Sequence, residues 1–190
     1  MKSPNNSLFI IGESELDLVV FEDICHGRLP VQLGDSARNK VQLCDEFRRS
    51  LASSSRKIYG VNTGFGRLAD TVIPLEQQAT LQKNLIRSHA VGWGRPLTLP
   101  EARGMIFLRA MSLSHGFSGA RDAVIDQLLW LLEENLHPFI PSRGSVGASG
   151  DLAPLSHLAL VLMGEGHLLN ESGQRVLAGP ELEKRSRPAL

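Results

Sequence analysis

The sequence lacks a net charge: 20 lysines and arginines balance 20 aspartates and glutamates over 190 residues. A surface without an overall field has no electrostatic footprint for nucleic acid or an anionic membrane, and neither is expected as a partner. Cysteine is nearly absent. Cys25 and Cys44 show no metal-binding or redox spacing, which fits a reduced, cytoplasmic protein with Cys44 in a helix core. No apolar run approaches the roughly 20 residues a membrane helix needs. The opening stretch MKSPNNSLFIIGESE, with one lysine and a short apolar run, falls short of a signal peptide. Repeats and low-complexity tracts are missing as well. What is present is a 42% hydrophobic chain, enough for a real core in one domain or one and a half.

The periodicities predict a mainly α protein with a minor β part. Residues 1–73 read as mixed α/β, 74–166 as helical, and 167–190 as a hairpin followed by the start of a helix. SLFIIG and LPVQLG read as short strands. Asp35 or Ser36 is placed to cap a helix with the apolar stripe Ala37, Val41, Cys44, Phe47 and Leu51. RKIYGVNTGFG reads as a strand running into a glycine-rich loop. Pro74 and Pro100 suit the openings of two helices, and Ser118 is placed to cap a third with its stripe at Val124, Ile125, Leu128, Leu129 and Leu132. Pro138 and Pro141 bracket a connection. DLAPLSHLALVLMGEG reads as a buried helix, and HLLNESGQRVLAG as a hairpin turning at Glu171 to Gly173.

Most familiar chemistries fail on a missing residue. GFGRLA has the glycine spacing of a dinucleotide loop, but no acid stands about 20 residues on, where the ribose would need one. Ser149 has Gly147 two residues before it, yet Asp151 stands where a nucleophile elbow needs glycine. No phosphate-loop lysine follows any glycine run. The six histidines show no metal spacing, and no metal is expected. His115, His137, His157 and His167 read as structural or surface residues. His89 falls on the apolar face of its helix, where a satisfied core histidine is the ordinary reading.

The stretch GSVGASGDLAPLSH allows a chemistry of the backbone itself. In Ala148-Ser149-Gly150, the amide nitrogen of Gly150 can attack the carbonyl carbon of Ala148. Glycine offers no side chain to obstruct that approach, and Ala148 keeps the other wall small. The hydroxyl of Ser149 can leave as water. Loss of two waters gives a five-membered ring bearing an exocyclic methylene, a strong electrophile. Such a ring needs a compressed loop held by rigid neighbours.

YGVNTGFGRLAD, LQKNLIRSHAVGWG and RGSVGASGDLAPLSHLALVLMGEG together resemble the aromatic amino acid ammonia-lyase family, from about Leu8 to the end of the chain. The resemblance implies the N-terminal region of the all-helical ammonia-lyase fold. It implies a self-made methylidene-imidazolone on Ala148, Ser149 and Gly150, supported by Asp151, with no external cofactor. By the same resemblance Tyr59 is the catalytic base, its phenol acidified by the positive end of a nearby helix. Ser88 and His89 are the substrate-selecting pair. Serine-histidine at these positions is the pattern of the family's histidine-specific members, so the implied reaction is non-oxidative deamination of L-histidine to urocanate and ammonia. The implied assembly is a homotetramer in the complete protein, with the site shared between subunits.

The family's C-terminal helical bundle and the further site residues it carries are not in these 190 residues. Trp93 and His167 are bulkier than the family's usual residues there. Three alternatives stay open at this point. The chain works with a separate C-terminal polypeptide. It is a non-catalytic remnant or assembly module. Or it belongs to a lyase or aminomutase acting on another aromatic amino acid.

Overall fold

The computed structural model describes residues 8–54, 56–148 and 152–190. Along these the chain runs β1 (Phe9–Ile11), α1 (Leu18–Cys25), β2 (Val31–Leu33), α2 (Asp35–Ala52), α3 (Leu75–His89), β3 (Trp93–Pro96), α4 (Leu99–Ser114), α5 (Asp122–Glu133), β4 (His137–Pro138), β5 (Pro141–Arg143), α6 (Ala153–Leu162), β6 (His167–Leu169), β7 (Arg175–Leu177) and α7 (Ala178–Lys184). The strands form three small sheets: β1 parallel to β2, β3 antiparallel to β5, and the antiparallel set β4-β6-β7. The protein is therefore mainly α with a minor β part.

Helix α4 is the centre of the packing. Its sequence explains its start: Glu101 reaches back to the Thr98 amide (2.7 Å) and hydroxyl (2.9 Å), and Pro100 sits in the first turn, where a missing N–H costs nothing. Ala102, Ile106, Phe107 and Ala110 are fully buried along it. Phe107 meets Phe9 edge to face, with ring centroids 5.4 Å apart. Such a pair contributes about 0.5–1.5 kcal/mol beyond its area burial. Helix α1 can approach because residue 104 is glycine: a Cβ there would stand 2.9 Å from Cys25 Sγ and 3.1 Å from the Phe21 ring.

Arg103 lies on the same helix and is only 5% exposed. No carboxylate pairs with it among the described residues. Instead Nε donates to Ile24 O at the end of α1 (3.2 Å), and Nη1 donates to Leu132 O at the end of α5 (2.8 Å) and to Asn135 Oδ1 (3.1 Å). Two helix C-termini thus present their negative dipole ends to one buried guanidinium. Burial pulls its pKa below the ordinary arginine value, though a guanidinium keeps its proton at any ordinary pH.

Several elements depart from the sequence reading. RKIYGVNTGFG is not a strand. It is a turn-rich loop with a 3₁₀ turn at Gly66–Leu68, organised by the buried Asn62 side chain. That amide accepts from Ile58 N (2.8 Å) and donates to Arg56 O (2.8 Å), so local side-chain bonds replace a ladder. Helix α2 is capped by Gly34, with Asp35 inside its first turn. Its inward face turns through Asp45 rather than Phe47, which is 63% exposed. Burial alone would raise the Asp45 pKa, but Arg48 and Arg49, each within 2.6 Å, hold it below the usual value. Cys44 is half-buried, accepting from Gly119 N (3.2 Å), and is not a core residue. Ser118 does not cap α5, which begins at Asp122 after Arg121. Pro138 and Pro141 lie within β4 and β5, at positions where the ladder asks no amide of them. Helix α1 had no clear signal in the sequence.

Replacing Arg103 by Met leaves the Ile24 and Leu132 carbonyls with only their local turn bonds. The expected loss is about 1–3 kcal/mol, read as a lower urea midpoint at unchanged m-value.

Candidate active site

Two glycines bring the motif-bearing segments together. Gly92 follows α3, and Gly144 follows β5. A Cβ on Gly144 would stand 3.3 Å from Gly92 Cα and 3.0 Å from Ala153 Cβ. A Cβ on Gly92 would meet Arg143 O, His157 Nε2 and Pro141 Cβ, each at 3.1 Å. Three pieces of backbone therefore cross at a point where only glycine fits without displacement. The Gly92 amide donates to His157 Nε2 on α6 (3.0 Å). Beside this crossing, Arg87 on α3 makes a bidentate ion pair with Glu165 just past α6, at 2.7 and 2.6 Å.

The loop that follows Gly144 is closed at its base. Ala153 N donates to Ser145 O (2.8 Å), and Leu152 N donates to Val146 O (2.9 Å). Gly147 takes a left-handed conformation (φ 65°), and its amide lies 3.3 Å from Ser145 Oγ. The Val146–Leu152 hydrogen bond brackets positions 147–151, and the Ser145–Ala153 bond lies next to it on the outer side. Ala148 is an exposed turn residue at the head of this loop. Ser149, Gly150 and Asp151 lie outside the described residues. The flanks suit a compressed small-residue turn: both ends are pinned by backbone bonds, and the wall beneath is Gly144, Ala153 and Leu152.

Ser88 and His89 occupy the last turn of α3. Ser88 Oγ donates to Leu85 O (2.8 Å), and His89 Nδ1 stands 2.8 Å from Leu85 O and 3.0 Å from Ser88 Oγ. The carbonyl can only accept, so Nδ1 is the donor in this contact; in the neutral imidazole that tautomer leaves the acceptor lone pair on Nε2. Ser88 is exposed and His89 half-buried. Tyr59, the chain's one tyrosine, is 64% exposed and lies edge-on to Phe65 at 5.8 Å. Among the described residues no hydrogen bond joins Tyr59 to Ser88, His89 or Ala148.

The sequence reading missed Gly92, Gly144 and His157 as the joint of the site. Glycines flanking α3 and β5 were the available signal. The reading of His157 as a structural residue agrees with its half-buried place against the backbone. Among the motif-bearing segments Leu68, Val72, Leu75, Val91, Trp93 and Val146 are exposed apolar residues. Helix α3 buries no residue completely. A groove of about 640 Å³ lies elsewhere, between α5, β2 and residues 187–190, and contains none of the motif residues. Among the described residues no cluster of three or more metal-ligating side chains is found. Among the described residues no helix is long and apolar enough to cross a membrane.

The chain belongs to a known family: residues 16–188 match the family model described as aromatic amino acid lyase. Within that family it is 46% identical over 160 residues to histidine ammonia-lyase of Anaeromyxobacter sp. (strain K), a match spanning 84% of this chain and 31% of that protein. Histidine ammonia-lyase from Trypanosoma cruzi superposes with TM-score 0.85 at 32% identity, over 96% of this chain and 35% of that one. Tyrosine aminomutase from Streptomyces globisporus superposes with TM-score 0.88 at 32% identity, over 96% and 34%. The chain spans about a third of the length of the relatives it matches.

A methyl at Gly92 presses on three partners that belong to other elements, two of them backbone-fixed. Gly92→Ala should cost about 1–3 kcal/mol, as overpacking does. A thermal melt of the variant against the parent measures it, and an unchanged melting temperature would show that the joint has slack.

Proposed function

We propose that this chain carries the electrophile-forming loop and the substrate-selecting pair of an ammonia-lyase acting on L-histidine, releasing urocanate and ammonia. The observation that carries the reading is the pinned base of the 147–151 loop, joined through Gly92 to the end of α3 that bears Ser88 and His89. On this reading Ala148, Ser149 and Gly150 lose two waters to form a methylidene-imidazolone, with Asp151 supporting the loop. That group, once formed, supplies an electrophile for the substrate, chemistry that ordinary side chains lack.

The residues of the chain do the rest. Neutral His89, with its proton on Nδ1 toward Leu85 O, presents the Nε2 lone pair to an imidazole N–H of the substrate. Ser88 adds a hydroxyl beside it. An apolar pair at these positions would leave the substrate's nitrogens unpaired, at about 1–3 kcal/mol for a buried polar group. Tyr59 takes the β-proton. The tyrosine is exposed in these 190 residues, as are Val91, Trp93 and Val146. The complete protein is read as a cytoplasmic homotetramer whose copies share each site. The likeness to tyrosine aminomutase favours a second reading, a lyase or aminomutase acting on another aromatic amino acid. The imidazole-compatible Ser88-His89 pair argues for histidine.

The test is the complete protein bearing this segment. Its intact mass should be two waters below the sequence mass, with the loss mapped to the peptide containing Ser149, and it should release urocanate from histidine. Ser149→Ala should abolish both. Ser88→Phe with His89→Leu should weaken histidine use by about tenfold or more and improve use of phenylalanine. Unchanged kinetics with both amino acids would remove the pair from the pocket. The 190 residues alone are expected to give no turnover, because positioning supplies about 7–11 kcal/mol of such barriers and the positioning groups of the full site are divided between segments. Turnover of a non-histidine aromatic substrate, or none by the complete protein, would decide for the second reading or for a non-catalytic module.

A further inference from the structure

We infer that His157 is a positioning residue: by accepting the Gly92 amide hydrogen at Nε2, it fixes the exit of α3, and with it Ser88 and His89, against the helix on which the 147–151 loop closes. The functional part of this inference rests on the ammonia-lyase reading; the contact itself does not.

The contact is unusual in its choice of partner. Gly92 stands immediately before β3, which pairs with β5 from Trp93 to Pro96. Its amide is not taken by a strand carbonyl but by an imidazole from α6, at 3.0 Å. The imidazole ring is half-buried and stands where a Cβ on Gly92 would be 3.1 Å from Nε2. Glycine at 92 is what admits the ring to the backbone. His157 is one helical turn beyond Ala153, whose amide closes the loop base onto Ser145 O. A single helix therefore holds the loop at one turn and the selecting segment at the next. The other polar tie between α3 and this end of α6 is the Arg87–Glu165 ion pair. It is largely exposed, where such pairs contribute little.

For Nε2 to accept, it must be unprotonated. Protonation turns the acceptor into a donor facing another donor, and the tie opens. The surroundings guard against this. Burial first, then the positive charge of Arg175 on β7 and the neighbouring imidazole of His167 on β6, hold the His157 pKa below the ordinary imidazole value. Arg143 on β5 has its guanidinium over the Trp93 ring at 4.9 Å, and on α3 Arg87 and Lys83 face Glu165. No carboxylate pairs with His157 among the described residues. The neutral form is thus the folded form. Its contribution is complete above the unfolded pKa of about 6.5 and is lost as pH falls from there through the depressed folded value.

Two substitutions separate the roles in the complete protein. His157→Leu removes the acceptor. His157→Gln keeps an acceptor at similar reach but cannot titrate. The expected result is about a tenfold fall in kcat/KM for histidine in the Leu variant, carried mainly by KM, with the Gln variant within about twofold of the parent. The parent's KM should rise as pH falls below about 6.5, and the Gln variant should lack that step. Hydrogen exchange at the Gly92 amide reads the tie without turnover. Its protection, taken relative to the intrinsic exchange rate at each pH, should fall in the Leu variant and in the parent under acid, and be kept in the Gln variant. Exchange that is indifferent to all three changes overturns the inference, whatever the activity. Exchange that responds while KM does not, in an active protein, also overturns it, reducing His157 to a structural residue. If the complete protein deaminates no aromatic amino acid but the exchange pattern holds, the ammonia-lyase reading fails and the tie between Gly92 and His157 stands. A Leu variant that fails to fold leaves the Gln variant and the pH series to decide.

Discussion

A guanidinium buried without a carboxylate is the constraint on which the rest of this structure hangs. Removing a charge from water costs several kcal/mol unless fixed dipoles replace the solvent. Around Arg103 those dipoles are the C-terminal ends of α1 and α5, with Asn135 completing the set. The geometry can be met only if three helices end or pass at one place, so the position of α1 and the length of α5 are dictated by one side chain on α4. Hydrophobic packing alone would not fix them so narrowly, because apolar contact tolerates sliding that a directed N–H does not. The core residues of α4 then fill the space those helices define, with Phe107 against Phe9 and Phe21.

This concentration of burial at α4 leaves the motif-bearing segments outside it. Helix α3 has no fully buried residue, and Tyr59, Trp93 and Val146 are exposed. They are held instead by backbone closeness: Gly92 against Gly144, Ala153 under the loop, His157 on the Gly92 amide. Contacts of this kind add little hydrophobic free energy, but they leave little room to adjust, because the two glycines have no side chain that could move aside. A site needs the second property more than the first.

Much of this was legible in the sequence, unevenly. The apolar stripe of α5, the opening of α4 at Pro100, the apolar helix α6 and the turn at Glu171–Gly173 followed from periodicity, composition and turn chemistry, because those segments form regular elements. Phe47 and Ser118 misled the reading for a common reason. Phe47 continued a stripe whose inward position went to Asp45, neutralised by two arginines of its own helix, and periodicity assigns no place to a buried charge. Ser118 offered a cap, but Gly119 packs on Arg48 and donates to Cys44, so tertiary contact delayed the helix. Around Tyr59 the β-rich composition suggested a strand, while the Asn62 side chain bonds the backbone locally and pairing is confined to one antiparallel bridge, Thr63 with Val72. The motif residues could be named from the sequence, but their joint could not. Nothing in the spacing of Gly92, Gly144 and His157 says that they meet.

The small residues of GSVGASGD find their physical reason in this joint. A flexible loop and a compressed loop draw on the same amino acids, glycine, serine and alanine, and composition does not tell them apart. What separates them is the boundary. A mobile loop has ends that drift, whereas here the ends are fixed by Ser145 O and Val146 O to the first two residues after the turn. Gly144 lets the incoming strand lie against Gly92, and Gly147 takes a left-handed conformation (φ 65°) that glycine adopts without strain. Strain in a short connection persists only where the surroundings over-determine it. Small residues in the sequence at 147–150 and flanks fixed at 144–146 and 152–153 are the two features on which the proposed ring closure depends.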